Sequence, residues 1–293
     1  MINSRFLFLS LLTIPVIAQH TESVTASECP VQQENPYADR NHRWLTEVWQ
    51  KKGAATQPHA VNGYEVVEAD SWNTILANMF TKTGVSDGAS VFDFGCGGGS
   101  SCLVLNGMRK NLTFYGIDYS PKLIERAQKD ISHGTFWTQS ITEPLKIQPL
   151  EKVDLALCMG VFLYLNSSDE VEKSILSMAS VVKPGGKILL SDISDSEKKE
   201  LADRIRGVVH TKVTEKLSND NSLDHLYLPR SFFCSVAQKL GAQVEFVEFT
   251  EVDPSGSYPN GAYRFNAIIT LPTAIPSVTT EITAQQQHES CLS

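Results

Sequence analysis

Val91-Phe92-Asp93-Phe94-Gly95-Cys96-Gly97-Gly98-Gly99-Ser100 is the stretch whose reading decides the fold. A short apolar strand ends, a glycine-rich turn follows, and a helical pattern opens at Ser100. Glycines in such a turn let a ligand approach the backbone closely, and the helix N-terminus adds free N–H donors. Alone, this would suit a dinucleotide as well. The third glycine of a nicotinamide fingerprint, however, would fall at Ser100, where it is missing. An acid inside the strand, Asp93, suits a ligand that carries a cationic amino group and no pyrophosphate.

The next signal downstream is Tyr115-Gly116-Ile117-Asp118-Tyr119-Ser120. Asp118 closes a second strand, about 20 residues after the glycine turn, where an acid can accept hydrogen bonds from both ribose hydroxyls. Its other reading is a cap on the helix that Pro121 opens.

Around these two points strands and helices alternate. Strands are expected at Ser90–Phe94, Phe114–Ile117, Thr135–Gln139, Val153–Met159, Lys187–Ser191, Val244–Phe249 and Arg264–Thr270. Val153–Met159 is apolar on both faces, as a buried parallel strand should be. Helices are expected at 37–52, 69–82, 100–110, 121–130, 169–182, 195–216 and 231–240. Lys183-Pro184-Gly185-Gly186 reads as a helix stop. The alternation implies a doubly wound parallel α/β sheet.

The blocks at Asp93 and Asp118 together resemble the class I S-adenosylmethionine (SAM)-dependent methyltransferases of the small-molecule type. The resemblance runs from about Asp70 to Leu271. It continues in Val153-Asp154-Leu155-Ala156-Leu157-Cys158 and in Val182-Lys183-Pro184-Gly185-Gly186-Lys187-Ile188-Leu189-Leu190. The fold expected is therefore a Rossmann-like sheet of seven strands, mostly parallel with the last strand antiparallel, preceded by N-terminal helices.

The resemblance implies SAM as cofactor and roles for particular residues. Gly95, Cys96, Gly97 and Gly99 form the turn at the methionine part, with Asp93 near its amino group. Asp118 holds the ribose and Tyr119 packs on the adenine. Ser140 and Ile141 lie at the adenine edge, where many family members carry an acid in place of Ser140. Met159 and Gly160 back the methyl-bearing sulfur. Phe162 and Tyr164 face the acceptor. Two further segments, Asp224-His225-Leu226-Tyr227-Leu228-Pro229-Arg230 and Tyr263-Arg264-Phe265-Asn266, are similar to segments of small bacterial-type methyltransferases. The first makes His225 and Tyr227 candidates for a general base or acceptor clamp, and Arg230 a candidate substrate contact. Their alternative role is packing. Trp44, Trp49, Tyr37 and Tyr64 precede the core and are candidates for a lid or for core positions.

Composition bounds the partner. The 293 residues carry a net charge of −8, and no Lys/Arg-rich stretch offers the basic footprint a nucleic-acid binder needs. A small-molecule acceptor without nucleic acid is expected. No apolar run is long enough to span a bilayer, so no stable membrane insertion is expected. Six cysteines form no CxxC or Cys/His cluster, so no metal is expected, and Cys96, Cys102 and Cys158 read as buried thiols.

Residues 1–18 read as a signal peptide, with Phe6 to Ala18 as its apolar core. Residues 19–36 read as a linker, 37–271 as the methyltransferase domain, and 272–293 as a Ser/Thr/Gln-rich disordered tail. A secretory or extracellular location follows, and with it N-glycosylation at the sequons Asn111-Leu112-Thr113 and Asn166-Ser167-Ser168. A fold of this kind that moves an aminopropyl group would need an acidic motif after the fourth strand, and Cys158-Met159-Gly160-Val161-Phe162 has none. The remaining alternative is a secreted, non-catalytic binding protein that keeps the methyltransferase fold.

Overall fold

The computed structural model describes residues 47–146, 151–214 and 225–273. The expected signal peptide, the expected linker and most of the expected tail lie outside them, as do Tyr37, Trp44 and the terminal cysteines Cys29 and Cys291, candidates for a disulfide. The chain folds through α1 (47–52), α2 (Pro58–Val61), α3 (Ala69–Thr83), β1 (Ser90–Phe94), α4 (Ser100–Met108), β2 (Thr113–Asp118), α5 (Pro121–Asp130) and β3 (Thr135–Thr138). It continues through β4 (Val153–Met159), α6 (Ser168–Val181), β5 (Val182–Ser194), α7 (Lys199–Thr214), α8 (Arg230–Lys239), β6 (Gln243–Glu248), α9 (Phe249–Val252) and β7 (Arg264–Thr270).

The seven strands form one sheet in the order β3-β2-β1-β4-β5-β7-β6. The pairs β1–β2, β1–β4, β2–β3 and β4–β5 are parallel, and β7 runs antiparallel to both β5 and β6. The expected architecture is therefore present. Between β1 and β4 the winding of the sheet reverses, and a crevice at such a switch point is where open α/β sheets bind ligands.

Period-two alternation along the strands divides the core into two apolar layers. Val91, Leu155, Leu157, Leu189 and Ile268 face Ile75, Leu76, Met79 and Phe80 of α3 and Leu105 of α4. Their neighbours Phe92, Ala156, Ile188, Leu190 and Ala267 face Ile175 and Met178 of α6 and Phe233 and Val236 of α8. A strand buried on both faces is apolar, which is why β4 reads as a continuous run from Leu155 to Met159; Asp154, near its start, is only half-buried and is held by Lys183 and the Ser90 N–H. Cys96, Cys102 and Cys158 are free thiols buried in this core.

The structure adds three local details to the expected elements. Helix α6 ends at Val181, as the helix stop implies, and Lys183 to Gly186 already belongs to β5: the Gly185 N–H donates to Pro272 O and the Leu271 N–H to Gly186 O, pairing this stretch with the end of β7. The helix expected from Asp195 starts as a 3₁₀ turn at Ser196–Lys198, with the Asp195 carboxylate accepting the Glu197 N–H. The connection from β6 to β7 contains α9 and a 3₁₀ turn, Pro259–Tyr263, both too short to produce a periodic signal.

Candidate active site

A cavity of about 280 Å³ opens at the carboxyl ends of β1, β2 and β4. Its floor is the turn between β1 and α4, from which Gly95 and Gly97 line it. Gly97 has a φ of +55°, and a Cβ there would lie 2.7 Å from the Asn62 side-chain oxygen. Asn62 is the turn's outer support: its Nδ2 donates to Cys96 O at 3.2 Å, and its Oδ1 accepts the Gly98 N–H at 3.0 Å.

Asp118 lines the same cavity from the end of β2. Its Oδ2 accepts the Gly97 N–H at 3.0 Å, and its Oδ1 accepts the Ser120 N–H at 2.9 Å. Each oxygen keeps a further lone pair. Burial pushes this carboxyl up to about 6, against the downward pull of the two N–H groups. Asp118 is not the cap expected on α5, whose N-cap is Ser120 with no side-chain cap bond; it instead ties the Ser120 backbone to the glycine turn.

Asp93 lies behind the turn instead of on the cavity wall. It is buried in β1, with the Cys102 thiol 3.9 Å from its Oδ2. Burial first, and then the negative charge of Asp118, push its carboxyl up to about 7. Cys96 is also buried away from the cavity, and Gly99 serves as the left-handed N-cap of α4 with a φ of +82°.

Tyr119, Ser140, Ile141, Met159, Gly160 and Tyr164 all line the cavity. The Tyr119 hydroxyl is buried without a hydrogen-bond partner among the described residues. Ser140 Oγ contacts Thr142 Oγ1 at 2.9 Å, so a hydroxyl pair stands where an acid is common in the resembled family. The Ser101 hydroxyl donates to Met159 Sδ at 3.7 Å. Trp49 of α1 closes one side, its ring edge-on to Tyr164 at 5.9 Å.

Four further expected residues do not line the cavity. Phe162 is buried in the apolar layer beneath α6. His225 approaches the cavity through Tyr164, ring edge to face at 5.6 Å. Tyr227 is turned toward α7, where Arg206 Nη1 approaches its hydroxyl at 3.5 Å and Lys199 lies over its ring. Arg230 is held among acids, with Glu248 Oε1 at 2.5 Å and Asp195 Oδ2 at 3.7 Å, and its guanidinium covers the Phe265 ring. A cation satisfied in this way is not offered to a ligand at the cavity.

Asn62, Val161, Leu165, Asn166 and Glu170 line the cavity without having been singled out in sequence. Glu170 accepts from both the backbone N–H and the Nδ2 of Asn166, at 2.9 and 3.0 Å. Asn166 is a sequon asparagine, which is the one sequence signal among these five. Among the described residues, no group of three or more His, Cys, Asp and Glu is placed to hold a metal ion. None of their helices is long and apolar enough to cross a membrane.

Residues 85–246 match the family described as methyltransferase domain. A tRNA N(3)-methylcytidine methyltransferase of Schizosaccharomyces pombe is 26% identical over 113 residues, which is 37% of this chain and 46% of that protein. The chain thus aligns with less than half the length of that relative. Among solved structures, Haemonchus contortus phosphoethanolamine N-methyltransferase 1, in complex with phosphoethanolamine and S-adenosylhomocysteine, superposes with a TM-score of 0.58 at 14% identity, covering 85% of this chain and 52% of that one. Magnesium protoporphyrin IX methyltransferase from Synechocystis PCC 6803, with bound SAH, gives 0.51 at 17% identity, covering 80% and 97%. At these identities the superpositions speak for the fold.

Proposed function

The chain belongs to the methyltransferase domain family; from that premise we propose that it is a SAM-dependent methyltransferase, that SAM occupies the cavity beside Asp118 and that the acceptor is a small molecule. The observation that carries the reading is the Asp118 carboxylate. It is buried in the cavity, tied to the glycine turn by one N–H, and left with lone pairs that fit two neighbouring ribose hydroxyls.

The remaining wall fits the rest of the cofactor. Gly95 and Gly97 leave backbone open beside the methionine part. Tyr119, Ser140, Ile141 and Thr142 lie on the side suited to the adenine, and Met159 and Gly160 stand where the sulfonium would lie. SAM supplies an activated methyl group on sulfur. The protein's task is to position the nucleophile in line with that methyl and to exclude water. Trp49 and Asn62, from the segment ahead of β1, cover the cavity and serve the second task.

Two observations support a small acceptor. The cavity, at about 280 Å³, lies just below the range of single-ligand pockets (roughly 300–1,000 Å³), which favours a compact acceptor beside the cofactor. The net charge of −8 opposes an RNA backbone, which rewards a basic surface. The tRNA-modifying relative makes an RNA acceptor the rival outcome. The expected signal peptide and the two sequons support a role in the secretory pathway. Calorimetric titration of the full chain with SAM tests the reading: micromolar binding is expected, and no heat and no thermal shift at millimolar SAM would favour a fold retained without turnover.

A further inference from the structure

Behind Gly160, beyond the end of β4, lies a buried polar cluster to which cofactor binding gives no role. Asp192 stands at an irregularity in β5, where pairing with β7 shifts register between Leu190 and Ile193, and its φ is +63°. Its Oδ2 accepts hydrogen bonds from the Tyr64 and Tyr258 hydroxyls, both at 3.1 Å, and from Arg264 Nη1. Arg264 Nη1 also donates to the Tyr258 oxygen at 2.7 Å. Because β7 is antiparallel to β5, Arg264 begins its strand at the sheet edge where β5 ends, so residues 72 positions apart meet there.

Three features take this cluster beyond a structural ion pair. A non-glycine residue with positive φ persists only where its surroundings hold it, and such strain gathers at functional sites. All the donors crowd onto one carboxylate oxygen, while Asp192 Oδ1 and Arg264 Nε are buried with no hydrogen-bond partner among the described residues, an exception that calls for a reason. The cluster also abuts the cavity: a Cβ on Gly160 would collide with the Tyr64 hydroxyl and lie 3.4 Å from Asp192 Oδ2. Gly160 itself lines the cavity next to Met159, so the cluster meets the cavity wall from behind through this residue.

We propose that this cluster is the acceptor subsite: Asp192 Oδ1 and the Tyr64 oxygen receive the O–H or N–H of the acceptor's nucleophile and hold it against Gly160. This rests on the reading that SAM fills the cavity with its methyl end at Met159 and Gly160. Arg264 balances the charge of Asp192, so the group received is a hydroxyl or an amine and not an acid. Burial keeps the Tyr64 phenol protonated and donating to Asp192, which leaves its oxygen lone pairs for the acceptor. The Tyr64 ring is fixed by stacking on Trp72 at 3.7 Å.

The test is an NMR titration of ethanolamine, ethylene glycol and acetate into the full chain saturated with S-adenosylhomocysteine. Binding of ethanolamine or ethylene glycol is expected; because ethanolamine carries both groups, binding of ethanolamine without ethylene glycol points to an amine, and binding of ethylene glycol to a hydroxyl. Asp192→Asn and Tyr64→Phe should each weaken that binding roughly tenfold or more, while affinity for S-adenosylhomocysteine stays within about twofold. Asparagine tolerates positive φ. Tyr64→Phe removes the hydroxyl and keeps the stacked ring, so it carries the test if the first variant does not fold. Binding of neither donor probe, preferential binding of acetate, or wild-type affinity in both variants would overturn the subsite alone. Failure of the folded wild type to bind S-adenosylhomocysteine would overturn the cofactor reading and the subsite with it.

Discussion

Replacing Asp118 with alanine should weaken SAM binding about ten- to a hundredfold. The carboxylate makes two internal hydrogen bonds, from the Gly97 and Ser120 N–H groups at 3.0 and 2.9 Å, and has one lone pair per oxygen left for the ribose. A hydrogen bond to a charged group contributes about 1.5–3 kcal/mol, and each 1.4 kcal/mol is about a factor of ten in affinity. Losing one such bond already accounts for the lower figure. Alanine also strands the Gly97 N–H, so the turn that forms the cavity floor loses its tether and the loss moves toward the upper figure. Asp118→Asn keeps the volume and one acceptor oxygen, but its amide NH₂ must face one of the two backbone donors, so an intermediate loss is expected. Isothermal calorimetry with S-adenosylhomocysteine near neutral pH, with a thermal melt to show that each variant is folded, measures this. An unchanged dissociation constant in folded Asp118→Ala would refute the reasoning and remove Asp118 from the site.

The other predictions follow from the same geometry. Asp118 in the cofactor-free protein titrates at about 6, and the ionised form is the one that accepts ribose hydroxyls. SAM affinity should therefore fall as pH drops from about 7 to about 5, and a flat calorimetric profile would contradict this. Asp93 is raised from 3.8 to about 7, so the folded state favours its protonated form: the stability is present below about pH 4 and is lost as pH rises through about 7. Asp93→Asn should thus melt higher than wild type near pH 8, by up to about 4 kcal/mol of stability, with little difference near pH 4; equal melting curves at pH 8 would refute the burial argument. Tyr227→Phe should leave SAM affinity and turnover within about twofold, since the residue meets α7 and not the cavity; a tenfold fall in turnover would return it to the site. Asn111 is exposed ahead of β2 at the amino edge of the sheet, whereas Asn166 lies on the cavity wall. Sugar at Asn111 should leave activity unchanged, and sugar at Asn166 should lower it, as peptide mass spectrometry paired with enzymatic deglycosylation would reveal.

What could be read from sequence is what is encoded locally. The turn at Gly95 to Gly99 and the acid at Asp118 are contiguous with the strands that present them, so residue type and spacing were enough to bring Gly95, Gly97 and Asp118 to one cavity. The apolar run of β4 and the Pro-initiated α5 were legible for the same reason. Asp93 shows the limit of spacing: an acid within a strand can face either way, and pleating turned this one into the core beside Cys102. The acceptor side is built by long-range contacts. Tyr64 and Asp192 meet across 128 positions, and Arg264 reaches Asp192 only because β7 reverses direction. Asn62 reaches Gly98 from a short helical turn with no periodic signature. Arg230 had the residue type of a substrate contact, but the charges that claim it, Asp195 and Glu248, come from other elements that only the fold assembles.

The central claim is that this chain moves a methyl group from SAM to a small molecule. Incubating the full chain with methyl-labelled SAM and an unfractionated extract, then separating small molecules from RNA and protein, tests it directly. Label is expected in the small-molecule fraction with wild type and much less with Asp118→Ala. Label confined to RNA or protein, or no transfer by a chain that binds SAM, would contradict the account.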